Sequence, residues 1–174
     1  MQTSPRFSEA LDALGSPGEP VGVTDSAVPN LPGLYALHGD DTAWAAIGLR
    51  APAAPVPLYV GKAEDSLLGR DMKTHFRSGK TGWSSVRRSF AALLRKQLDL
   101  HAVPRKLSRP EKFTNFGLDE EDDDRLTQWM LQHLRIAVWP KPDESVSLED
   151  LERAVIEHWQ PPVNIDHNLS LIHI

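Results

Sequence analysis

The sequence predicts one small α/β domain, of the α+β kind, in which a three-stranded sheet is flanked by helices. Three observations lead there. Short apolar runs rich in aromatic or β-branched residues occur at 34–37, 58–61 and 134–139, each bounded by glycine or proline. Between them, apolar residues recur at spacings of three and four, the period of an amphipathic helix. A chain of 174 residues, 40% hydrophobic and 25% charged, is long enough for one core and too short for two.

Taken in order, Phe7, Leu11 and Leu14 share one face of a short helix that Gly15 stops, and a Pro/Gly loop over 15–20 follows. No chemistry is visible there, and the helix is expected to pack on the outside of the domain. The strand at 34–37 comes next, with Asp40 and Asp41 opening the turn after it. Residues 44–49 read either as the second edge of a hairpin or as a short helix. Three prolines in 51–57 exclude regular helix and mark a connector into the strand at 58–61. Leu67, Leu68, Met72, His75 and Phe76 then keep helical spacing. Gly79 and Gly82 flank a turn at Lys80, after which Ser84 and Ser85 cap a helix over 86–98. Phe90, Leu93, Leu94 and Leu98 form its apolar stripe, with Arg87, Arg88, Arg95 and Lys96 elsewhere on its surface.

Residues 101–117 lack periodicity, and 119–124 is an unbroken acidic run. Such a run is a solvated loop or the negatively charged start of a helix. It lacks the alternation and central glycine of a calcium loop, so it is assigned no site. A helix over 125–133 buries Leu126, Trp129, Met130 and His133 on one side. The third strand, 134–139, alternates Ile136 and Val138 with Arg135 and Ala137 until Pro140. Ser147 caps a last helix over 148–159, whose apolar face is Leu148, Leu151, Val155 and Trp159, and Pro161–Pro162 stops it.

Composition narrows the chemistry. Without cysteine there is no disulfide framework and no thiolate zinc site, which leaves carboxylates and imidazoles as metal ligands. No apolar run approaches the roughly 20 residues of a membrane span, and the N-terminus lacks a secretory apolar centre, so a cytoplasmic protein without membrane association is expected. A net charge of -5 argues mildly against a polyanionic partner. Its distribution argues the other way: residues 62–112 carry thirteen basic and five acidic side chains, between flanks that are both acidic. That segment is either a solvated helical surface or one that faces phosphate. A third possibility is an interaction domain in which the acidic flank covers the basic segment.

Two tripeptides carry the functional reading. Gly33-Leu34-Tyr35 opens the first strand and Tyr59-Val60-Gly61 lies in the second, followed by Lys62, then by Arg70 on the next helix, and much later by Glu152 on the last helix with Asn164 twelve residues on. In this order they resemble the GIY-YIG nuclease family, over roughly residues 32–164. The resemblance implies a mostly antiparallel three-stranded sheet with Tyr35 and Tyr59 near each other at its active edge. It implies a nuclease domain over 31–168 with an insertion at about 104–124, an N-terminal extension at 1–30 and a tail at 169–174. It also implies metal-dependent endonuclease cleavage of DNA to 5′-phosphate and 3′-hydroxyl ends. The alternative is a non-catalytic nucleic-acid-binding module on the same scaffold.

Phosphodiester hydrolysis needs a deprotonated water, positive charge against the phosphoryl group and help for the departing oxygen. Glu152 offers the hard carboxylate that Mg²⁺ (or Mn²⁺) prefers, in a site where most other ligands are water. Arg70 offers a planar, permanently charged hydrogen-bond donor to phosphate. The family makes Tyr35 the acceptor of the water's proton and Tyr59 a positioning group. A phenol with a pKa near 10 needs a neighbouring cation for that work, and Lys62 could supply it. The family also places a histidine one turn beyond its arginine; His75 stands five positions after Arg70, where an α-helical turn favours four. Asn164 would tie the C-terminal turn to the sheet edge. Gly33 and Gly61 allow close backbone approach or positive φ. Lys80, Arg87 and Arg88 are the expected phosphate contacts. One such centre cuts one strand, so double-strand cleavage would need a dimer or two visits.

Overall fold

A strand buried on both faces needs an unbroken apolar run, and Gly33–Gly39 is that strand (β2), six of its seven residues being buried. In the protein's computed structural model, residues 5–21, 28–70, 74–105 and 116–164 are described, Arg70 in its backbone only. The chain runs through helix α1 (Pro5–Gly15), strand β1 (Glu19–Pro20), β2, helix α2 (Asp41–Ala46), strand β3 (Tyr59–Ala63) and helix α3 (Leu67–Arg70). A 3₁₀ turn (Thr81–Trp83) leads into helix α4 (Ser85–Leu94), and strands β4 (Ala102–Val103) and β5 (Gly117–Leu118) precede helix α5 (Glu120–His133). Strand β6 (Leu134–Pro140) and helix α6 (Leu148–Trp159) complete the described chain.

The sheet has the order β1-β6-β2-β3, with every pair antiparallel. The three strands read from the sequence form its body, and Glu19–Pro20 adds a short fourth at the β6 edge. Of the expected extension at 1–30, Glu19–Pro20 thus pairs with the sheet. Helix α1 lies with α6 against one face, where Ala10 and Leu14 pack with Leu34, Ala36, Val60 and Trp139. The other face holds Tyr35, Leu37 and Ala63 against Leu67, Phe90, Leu94, Leu126 and Met130 from α3, α4 and α5. Each fully buried aliphatic side chain of this kind contributes about 1.5–3 kcal/mol.

Side-chain caps set the helix starts. Asp40 accepts from Ala43, Ser84 from Arg87, Asp119 from Asp122 and Ser147 from Asp150, each through the backbone N–H. The acidic run is therefore the first turn of α5, which begins five residues before the predicted Arg125. Helix α4 keeps Phe90 and Leu94 buried, but Leu93, placed on the apolar stripe by spacing, is 45% exposed. Strands β4 and β5 pair antiparallel, closing the base of the expected insertion. Residues 106–115 of that insertion, with Lys106, Arg109 and Lys112, lie outside the described residues, as do Met72 and the tail at 169–174. Among the described residues no helix is long and apolar enough to cross a membrane.

Candidate functional site

The β2–β3 register sets the site. Tyr35 pairs with Gly61 and Leu37 with Tyr59, so both phenols project from one face of the sheet at its β3 edge. Their ring centroids are 6.1 Å apart. Gly61 lies between them: a Cβ there would come within 3.0 Å of the Tyr35 hydroxyl and of the Tyr59 ring. At Gly33 a Cβ would meet the Trp139 carbonyl and a Leu67 methyl. Neither glycine has positive φ, so close approach is the reason for both.

His75 joins the phenols. Its Nε2 is 2.8 Å from the Tyr35 hydroxyl, its ring centroid is 5.5 Å from that of Tyr35, and it is fully buried. Thr74 and His75 themselves are π-helical, a geometry whose hydrogen bonds span five residues rather than four. Nδ1 of His75 lies 2.6 Å from Ser84 Oγ, which also accepts the Arg87 backbone N–H in capping α4. Phenol and serine hydroxyls can each donate or accept, so either imidazole tautomer is bonded at both nitrogens. The capping role of Ser84 was legible; its contact with His75 was not, because it depends on the turn that brings the two together.

Lys62 and Glu152 meet on the other side of the strand. Lys62 pairs with Leu34, so the pleat points it to the face opposite Tyr35, where its ammonium lies 2.9 Å from Glu64 and 4.0 Å from Glu152. The Glu64 hydrogen bond, then the charges of Glu152, Glu64 and Glu149, hold the ammonium above its ordinary pKa although partial burial opposes this. Lys62, expected as the cation beside the Tyr35 phenol, thus lies on the opposite face of the sheet, and the group bonded to that phenol is the His75 imidazole. The Glu152 side chain is 16% exposed. A cleft of about 460 Å³ lies at the end of β3, lined by residues 62–66, Gly69 and Thr74. It runs from Lys62, the partner of Glu152, to the chain on either side of Arg70 and next to His75. The Arg70 side chain lies outside the described residues, and its backbone ends α3 at the rim of this cleft.

Asn164 clamps the open edge of β3. Its Oδ1 accepts from the Val60 N–H at 2.8 Å and its Nδ2 donates to the Val60 carbonyl at 2.7 Å, while the Val163 N–H donates to the Leu58 carbonyl. An edge strand that would otherwise present unpaired backbone is satisfied by a side chain, and β3 is held at the height the phenols need.

The expected phosphate contacts separate. Lys80 is exposed and Arg88 is half-buried, its Nη1 donating to the Gly82 carbonyl at 3.2 Å. Arg87 is corrected outright. It is fully buried and ion-paired with Asp123, and its guanidinium also donates to Thr81 Oγ1, Thr127 Oγ1 and the His75 carbonyl. Burial lowers its pKa and the Asp123 carboxylate opposes that shift. No phosphate can reach it. Its role is to fix the His75 backbone between α4 and α5.

Among the described residues no three carboxylate or imidazole groups cluster as a metal cage. A half-buried carboxylate suits a hard divalent ion that keeps most of its water, and Glu152, 4.0 Å from the ammonium of Lys62, which lines the cleft, is a carboxylate of that kind. Compared with known families, residues 54–174 match the GIY-YIG catalytic domain, well over half of the chain. The match begins after Tyr35, whose strand is joined to the matched region by five register pairs with β3. No curated protein and no solved structure matches the chain significantly.

Proposed function

The chain belongs to the GIY-YIG catalytic-domain family of nucleases, and from that premise we propose that it is a metal-dependent endonuclease that hydrolyses DNA phosphodiesters to 5′-phosphate and 3′-hydroxyl ends. The observation that carries this reading is the packing of two phenols over Gly61 at a strand edge, one of them bonded to the His75 imidazole, with the Glu152 carboxylate beside Lys62 of the same strand. In this reading Tyr35 passes its proton to Nε2 of His75, and the phenolate so formed takes a proton from the attacking water. The His75 imidazolium supplies the cation that a phenol of ordinary pKa requires. Tyr59, the less buried of the two, orients the water or the phosphate. Arg70 meets the charge that grows on the phosphoryl oxygens.

Glu152 would hold Mg²⁺ or Mn²⁺, and the ion when bound would stabilise the departing 3′ oxygen. Lys62 keeps the carboxylate near the cleft and adds positive charge at its mouth. The test is nicking of supercoiled plasmid with Mg²⁺ or Mn²⁺, set against chelator and against Glu152→Ala. The variant is expected to lose about 100-fold or more in rate while its duplex affinity in chelator stays within about threefold of the parent. Nicking by Glu152→Ala at the parent rate would sink the reading. Binding without nicking by the parent would favour a non-catalytic module.

A further inference from the structure

Of the five tryptophans, Trp44, Trp129 and Trp139 are each 6% exposed and Trp159 is half-buried, whereas Trp83 is 64% exposed. It ends the 3₁₀ turn, one residue before the serine that touches His75. Arg105 lies over its ring, with the guanidinium carbon 3.5 Å from the centroid. The stem of Arg105 crosses Gly82, where an added Cβ would come within 3.2 Å of it, and its Nε is buried without a hydrogen-bond partner among the described residues. Arg88 reaches the same turn through the Gly82 carbonyl, and Lys80 stands exposed at its start.

Among the described residues the cations around this ring have no acidic partner. Lys62, Arg87, Arg125, Lys141 and Arg153 all have carboxylate partners; among the described residues Lys80, Arg88 and Arg105 have none, as Arg50, Arg77, Arg95 and Lys96 have none, but these three stand around one exposed ring. Burial first, then the charge of Arg105, lowers the pKa of Arg88, as expected of cations held together without an intervening acid. An exposed aromatic face framed by unpaired cations fits a ligand that carries both a flat ring and phosphates. Uninterrupted duplex offers only phosphates, because its base faces are stacked inside; an unpaired nucleotide offers both. A protein partner would have to bring its own carboxylates to the same place, which the ring does not call for.

We propose that Trp83 is a stacking platform for an unpaired nucleobase, with Lys80, Arg88 and Arg105 taking the flanking phosphates, so that the preferred substrate contains single-stranded or extruded nucleotides. This rests on the reading of the chain as one that acts on DNA, and it adds which DNA. Its closeness to Ser84 and His75 would bring the distorted position to the cutting centre.

The test is fluorescence-anisotropy titration, in chelator so that nothing is cut, of one labelled strand in three forms: single, in blunt duplex, and in duplex with one unpaired internal nucleotide. The parent is expected to bind the single strand and the bulged duplex about tenfold more tightly than the blunt duplex. Trp83→Ala should bring all three within about threefold of one another, while Trp83→Phe keeps most of the preference. Arg105→Ala should weaken all three and lower the salt slope by about one. Unchanged circular dichroism would show that these substitutions leave the fold intact. Equal binding of the three forms by the parent, or a preference that survives Trp83→Ala, would overturn the proposal. Nicking of plasmid without this preference removes the platform alone; a preference without nicking removes the cleavage reading alone.

Discussion

The space at position 61 is too small for even a methyl group, and both phenols depend on that. A Cβ on Gly61 would come within 3.0 Å of the Tyr35 hydroxyl, the carbon that bears it and the Tyr59 ring. Tyr35 cannot retreat, being 1% exposed and hydrogen-bonded to a buried imidazole. Overpacking of this sort costs about 1–3 kcal/mol, so Gly61→Ala should lower stability by that amount. In this reading it should also lower nicking by more than the lost folded fraction accounts for, because the displaced atoms are the reacting ones. Urea unfolding and plasmid nicking on the same preparation decide it; activity that merely follows the folded fraction would show the phenols to be bystanders. The tyrosines and glycines were legible in the sequence. That Gly61 serves Tyr35 was not, since the pairing depends on register, and register is a property of two strands rather than of either tripeptide.

At the scale of elements, α4 and α5 are joined by one buried pair. Arg87 lies three residues before Phe90 and seven before Leu94, and Asp123 lies three before Leu126 and seven before Met130. Each charge therefore sits on the apolar face of its own helix. The sequence contained this signal, but a basic cluster beside a turn reads first as a solvated surface, and an acidic run reads first as a helix start. Only the coincidence of opposite charges on two buried faces distinguishes a staple from either. Removing one partner leaves the other buried and uncompensated, which costs about 3–5 kcal/mol, whereas replacing both with apolar residues is far better tolerated. Asp123→Ala should accordingly fall by that amount in urea unfolding, and the double substitution Arg87→Met with Asp123→Leu should recover most of it. The double variant should also keep the parent's salt dependence of DNA binding, because Arg87 faces no phosphate. A slope reduced by one contact would return Arg87 to the binding surface.

Across the whole molecule, the sheet is a middle layer whose two faces carry different parts of the site. The phenols and the imidazole share a face with α3, α4 and α5, the carboxylate comes from α6 on the other, and the β3 edge is where the two can approach. The strands and the last helix were legible because their apolar runs are long and their caps regular. The place of α1 was not, because a single amphipathic helix does not say which surface it covers. What fixes α1 is a buried histidine on β2: His38 is 3% exposed and its Nε2 lies 2.8 Å from the Leu14 carbonyl, to which it must donate. Burial holds this imidazole below the ordinary histidine pKa, and the Leu14 bond opposes that only in part. The unfolded chain, with a histidine pKa of about 6.5, therefore binds the proton more readily than the folded one. The stability that His38 contributes is complete above that value, is lost as pH falls through it towards the lower folded pKa, and changes no further below that. While the proton is taken up, the slope is at most about 1.4 kcal/mol per pH unit. Urea unfolding of the parent and of His38→Gln at pH 7.5, 6.5 and 5.5 isolates this group from the other histidines, since only the difference between the two chains reports on it. The parent should lose ground to the variant with each step down in pH; parallel curves would mean that His38 takes up its proton equally in the folded and unfolded chains, so that its burial against the Leu14 carbonyl carries no proton-linked stability.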